Sequence, residues 1–177
     1  VVEGMIKQIA PDLPSEDHRR LLRFARGFPQ MATLLGQAWL SDMPIAAATD
    51  DELIDRILLG RRSTDPALLK DAGMLLGAFR LLGTADDLDD LAQVAGFTRG
   101  RSVNDLRAAF ADLQGRGVVQ QHGRLASLQP KPLALALAER QWRQWAQATW
   151  DAILAGNLPE RLRQNAAWQL ALLNTGP

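Results

Sequence analysis

Residues 84–129, TADDLDDLAQVAGFTRGRSVNDLRAAFADLQGRGVVQQHGRLASLQ, decide the fold class of this chain. Thr84 and Asp87 form a variant capping box for a short helix that turns Leu88, Leu91 and Val94 inward and stops at Gly96. Ser102 with Asp105 caps a second helix, which buries Val103, Leu106, Phe110 and Leu113. Val118 to Gln121, a turn at His122–Gly123, and Arg124 to Gln129 follow as a β-hairpin, the one region that reads as strand. Gly117 and Gly123 mark the joints. Helix, helix and hairpin in that order outline a winged helix-turn-helix, a module that either reads DNA or packs as a moving part.

Upstream, helix formers dominate. Ser15 caps a helix through His18, Leu21, Leu22 and Ala25 that ends at Gly27, and Pro29 opens the next, with Met31, Leu34, Leu35, Ala38 and Trp39 on one face. Met43–Pro44 breaks that helix. Asp50, Asp51 and Glu52 place negative charge where the macrodipole of a following helix favours it, ahead of Leu53, Ile54, Ile57 and Leu58. After Arg61–Arg62, the segment Ser63–Thr64–Asp65–Pro66 is a domain joint, with Asp65 as N-cap and Pro66 in the first turn. Leu68, Leu69, Ala72, Leu75, Leu76, Phe79 and Leu82 then keep the helical period, and Gly73 and Gly77 on this helix admit a close neighbour. Downstream, Leu133 to Trp142 predicts a long helix, and Asn157, Pro159 and Glu160 start a last one that ends near Asn174.

The expected architecture is mainly α: a small helical domain (1–65), a winged helix with one small β-hairpin (66–130) and a C-terminal helical extension (131–177). A chain of 177 residues is long enough for two such cores. Val1 is not an initiator methionine, so the sequence reads as part of a longer protein. Apolar residues make up 47% of it, but charges interrupt them before any membrane span, and the absence of cysteine removes disulfides and thiolate metal sites. The expected setting is cytoplasmic.

Charge argues against a DNA reader. Twenty basic side chains face twenty acidic ones, without the basic excess that neutralises phosphates. The residues a DNA-reading module would use are Arg99 and Arg101 in the loop, Asn104 and Arg107 on the second helix, and Arg124 in the wing. Against them stand Asp86, Asp87, Asp89 and Asp90 at the start of the first helix, read as a solvated, dipole-favoured helix start. That cluster lacks the glycine turn and terminal glutamate of a calcium loop, so no metal site is expected. His18 and His122, the only histidines, suit surface roles, and no nucleophile–base constellation follows from spacing. Trp142, Trp145 and Trp150 read as packing residues, since no basic groove accompanies them.

The stretch Arg23–Phe24–Ala25–Arg26–Gly27–Phe28–Pro29–Gln30–Met31–Ala32 resembles the a-x-G-x-P-x-x-a segment of STAND ATPases, the signal-transduction ATPases that include the NB-ARC and NACHT proteins. In that family the segment lies in a small helical domain after the nucleotide-binding core, and a winged helix follows, as residues 66–130 do here. By order of parts the resemblance runs to residue 130; its sharp motif is about ten residues long. It implies that Gly27 and Pro29 sit against an adenine, with Gly27 allowing close backbone approach. The other reading of the same residues is a helix stop before a proline-started helix. Plant-type relatives carry a phosphate-contacting histidine where the wing meets the next helix. This sequence has Gln129–Pro130–Lys131–Pro132 there, which leaves Lys131 as the residue for a phosphate or as a surface lysine.

The resemblance further implies ATP or ADP with magnesium in the parent protein, although the chain itself holds no cofactor. Its partners would be its own upstream nucleotide-binding domain and a downstream sensor, with homo-oligomerisation on activation and a bacterial source. No lysine follows a glycine, so the phosphate loop G-x-x-x-x-G-K-[ST] is absent, as is a strand ending in a magnesium-binding aspartate. The chain alone is therefore expected to be no enzyme. The expectation is a regulatory switch module; its rivals are a winged-helix transcription regulator with helical dimerisation flanks and a scaffold without nucleotide contact.

Overall fold

The computed structural model describes residues 2–25, 27–39, 48–60, 65–85, 88–98 and 100–174. Arg26, the break at Met43–Pro44, Arg61–Arg62, Ser63–Thr64, Asp86, Asp87 and Arg99 lie outside these described residues. The chain forms two compact units, Val1–Thr64 and Asp65–Pro177.

The first unit holds α1 (Val2–Ile9), α2 (Ser15–Ala25), α3 (Pro29–Trp39) and α4 (Asp50–Leu59). Helix α3 packs on the other three. Ile6, Leu21, Met31, Leu35, Leu53 and Leu58 are buried in its core. The approach of α1 to α3 needs a glycine, because a Cβ at Gly36 would lie 2.7 Å from Ile9 Cγ2. The acidic start of α4 is a full capping box: Thr49 Oγ1 accepts from the Glu52 N–H at 3.2 Å, and the Thr49 N–H donates back to Glu52. Gly27 has φ +80°, the left-handed backbone that ends α2 one residue short of Phe28 and Pro29.

The second unit runs α5 (Pro66–Phe79), β1 (Leu82–Ala85), β2 (Leu88–Asp89), α6 (Asp90–Val94), a 3₁₀ turn (Ala95–Phe97), α7 (Val103–Gly115), β3 (Val119–His122), β4 (Leu125–Leu128), α8 (Lys131–Gln144), α9 (Gln147–Ala155) and α10 (Glu160–Asn174). Asp65 caps α5 through the Leu68 N–H at 2.9 Å, with Pro66 in the first turn. From Ala72 to Phe79 every residue of α5 is buried, as befits a helix that packs on α7, α8, α10 and β4. Burying Leu69, Leu75, Leu76 and Phe79 contributes about 1.5–3 kcal/mol each. Gly77 is where α8 comes closest, since a Cβ there would meet Ala138 N at 2.9 Å.

The mainly α fold with a small hairpin is present, and two expectations within it are corrected, the first being that Leu82 opens β1 instead of continuing α5. Thr84 does not cap a helix: it lies in β1 and pairs with Asp89 of β2, while α6 starts at Asp90 with Asp89 as its N-cap residue. The competing force is long-range. Leu82 and Gly83 pair with Ala126 and Leu125 of β4, and the antiparallel sheet takes the order β2-β1-β4-β3. A four-residue segment with weak local preference joins the hairpin edge that needs a partner. The hairpin and the Ser102–Asp105 capping box stand where the sequence places them, with Gly123 at φ +61° in the turn.

Candidate functional site

The surface that would face a duplex is built by α7, the loop before it and the hairpin. Asn104 is exposed near the start of α7. Arg101 points elsewhere: its Nε lies 2.8 Å from Asp71 on α5, and its Nη1 lies 3.5 Å from Asp65. The hydrogen bond to Asp71 raises the Arg101 pKa further above the ordinary arginine value. Arg107 is half-buried, with Nη2 at 2.8 Å from Asp89. Arg116, after α7, pairs with Asp112 at 2.8 Å. The remaining exposed positions of α7 are Asp105, Ala108, Ala111, Gln114 and Gly115. Arg124 is exposed at the hairpin turn. Helix α7 therefore shows solvent small and mildly acidic side chains, and Arg101, Arg107 and Arg116 are paired with carboxylates of the same unit.

Asp89 and Asp90, at the start of α6, are not the solvated helix start that the sequence suggests. Asp90 is 4% exposed. Its carboxylate accepts from the backbone N–H of Gly83 and pairs with Arg161 of α10. Asp89 takes Arg107 of α7. Adjacent carboxylates thus tie α6 to two different helices. A buried carboxylate needs such partners, because desolvation is offset only by a cation and good hydrogen bonds. Sequence inspection missed Arg161. Its only signal is a stripe of Arg161, Asn165 and Trp168 along one face of α10, with no local partner to explain it.

Asn165 Nδ2 donates to the Leu81 carbonyl at 3.1 Å, and the Arg80 guanidinium lies 5.3 Å from the centre of the Trp168 ring. Trp142, Trp145 and Trp150 pack. Trp142 and Trp150 have ring centres 3.7 Å apart, and Trp145 sits edge-on to Phe79 and Phe97 at 6.1 and 6.0 Å. Beside them a cleft of about 200 Å³ is lined by Asp71, Met74, Phe97, Gln141 and Trp145 among others. The Asp71 carboxylate there is already engaged by Arg101.

The residues that the family resemblance singles out fall in both units. Gly27 and Pro29 belong to the first, where the left-handed Gly27 leaves open space around the position of a Cβ and Phe28 beside it is 40% exposed. Lys131 belongs to the second, exposed at the first position of α8. Among the described residues no group of three or more His, Cys, Asp or Glu could hold a metal ion, and no helix is long and apolar enough to cross a membrane. No family model matches the sequence, and neither a curated protein nor a solved structure matches it.

Proposed function

We propose that this chain is the regulatory switch module of a STAND-type signalling ATPase. In this reading the winged helix packs on a nucleotide-binding core when ADP is bound and swings away on activation. One observation carries it: Arg101, before the would-be reading helix, and Arg107 on it are committed to Asp65, Asp71 and Asp89 of their own unit. A winged helix with these two cations spent internally is better suited to protein packing than to phosphate neutralisation. The Gly27–Pro29 turn, open on one side, supplies the apolar wall for an adenine, and Lys131 supplies a cation for a phosphate. The phosphate loop and magnesium ligands belong to the core. Nucleotide exchange then has only to bias two packings by a few kcal/mol to move most of the population.

Fluorescence anisotropy with mixed-sequence duplex DNA at low salt tests the choice between reader and switch. The expected result is weak binding; tight binding with a steep salt dependence would establish the transcription-regulator reading instead. In the full-length protein, Pro29→Ala is expected to weaken ADP binding and to shift activation. Unchanged affinity and unchanged activation would remove the adenine role.

A further inference from the structure

Three contacts from one face of α10 converge on the joint between α5 and β1. Arg161, Asn165 and Trp168 stand at positions i, i+4 and i+7, one stripe of the helix. Trp168 lies against Arg80, Asn165 holds the carbonyl of Leu81, and Arg161 holds Asp90, which in turn binds the N–H of Gly83. The joint is strained. Arg80 has φ +62°, the one described non-glycine residue with positive φ, and the next N–H closes a tight turn from Leu81 to the Phe79 carbonyl at 2.6 Å. A side chain held in that backbone region persists where its surroundings over-determine it.

Helix α10 packs on α5, α8 and α9. Its buried residues are Leu162, Ala166 and Gln169, of which only leucine is a large apolar side chain, and Trp168 is 56% exposed. Along the Arg161–Trp168 stripe the contacts are polar, and polar contacts exchange with water at small net cost when both ends become wet. Asp90 cannot become wet without movement of α6, because it is buried between β1 and α10 contacts. Undocking of α10 would leave that carboxylate without its cation, and the favourable response is for the joint to open with it.

We propose that α10 is a releasable strap over the α5–β1 joint, seated by Arg161 on Asp90, and that the joint and α10 open as one unit ahead of global unfolding. The device stands independently of the ATPase reading. It gives the winged helix a way to loosen β1 and α6 while α5 keeps its packing on α7 and α8.

Hydrogen exchange read by mass spectrometry on the whole 177-residue chain, in a series of low urea concentrations, tests it. The amides of α10 and those of residues 80–85 and 88–91 are expected to share one opening equilibrium and one urea dependence, below those of α5 and α7. Arg161→Gln is expected to speed exchange in both segments by about tenfold or more while α5 from Ala72 to Phe79 stays within about twofold. Trp168→Ala, at an exposed position that folding tolerates, is expected to give the same pattern at smaller size. If Arg161→Gln does not fold, the wild-type urea series and Trp168→Ala decide. Equal acceleration across residues 65–174 would overturn the proposal, since α10 would then be part of the global core. Acceleration of α10 with the joint unchanged would overturn it too, since nothing would couple the two.

Discussion

Asp90 and Arg161, 71 residues apart in the chain, form an ion pair in which the carboxylate is buried and the guanidinium is partly open to solvent. The pair fixes the start of α6 against α10, and its energetic weight lies in what either partner would leave behind. Arg161→Met would leave a buried carboxylate without a cation and is expected to cost about 3 kcal/mol, at the lower end of what breaking a buried pair costs because Arg161 is partly solvated. Asp90→Asn in the same background should cost much less than it does alone. Urea unfolding of the two single variants and the double variant measures this coupling.

The contact between α5 and α8 depends on a missing side chain. At Gly77 a Cβ would lie 2.9 Å from Ala138 N and 3.2 Å from Ala134 O, both backbone atoms that cannot rotate away. Gly77→Ala is therefore expected to destabilise by about 1–3 kcal/mol. At Gly115, the last residue of α7, a Cβ would meet nothing within 4 Å. Gly115→Ala should stabilise by about 0.5–1 kcal/mol by restricting the unfolded chain. Thermal melts of the two variants should shift in opposite directions.

At Arg80 the backbone, not the side chain, sets the sign. With φ +62° an L-residue is strained, so Arg80→Gly is expected to be more stable than Arg80→Ala by about 1 kcal/mol, although both lose the contact with Trp168. Equal stabilities of the two variants in urea would show that the turn is not strained.

Two capping boxes contribute to the acid limb of stability. Glu52 is held below the ordinary carboxylate range first by the backbone N–H of Thr49 and then by its hydroxyl, and Asp105 first by the Ser102 hydroxyl and then by the backbone N–H. A carboxyl with a lowered folded pKa contributes stability that is present above its unfolded value and is lost as pH falls through the folded value. Stability should accordingly fall as pH drops below the ordinary carboxylate range, and Glu52→Gln and Asp105→Asn should each flatten that fall. Urea midpoints of the wild type and both variants, taken from neutral to acid pH, check the slope. Thr49→Ala, which removes the cap oxygen of α4, is expected to cost about 1 kcal/mol at neutral pH.

Much of this protein was determined by sequence alone, and those features share a length scale. The Asp65 cap, the Ser102–Asp105 box, the left-handed Gly27 before Pro29 and the turn at Gly123 each rest on hydrogen bonds or backbone preferences spanning four residues or fewer. Local chemistry decides them, and it is written locally. Tertiary structure decided the rest. Leu82 to Ala85 became a strand because β4 offered an edge, overriding a capping pattern at Thr84. Asp89 and Asp90, alike in sequence, were divided between Arg107 and Arg161 because one faces α7 and the other α10. Arg101 and Arg107, two of the arginines that made the winged helix a possible DNA reader, were neutralised by carboxylates 18 to 36 residues away. Charge in a sequence is a count, whereas charge on a surface depends on which partners folding brings within a few ångströms, and only the folded chain sets those distances.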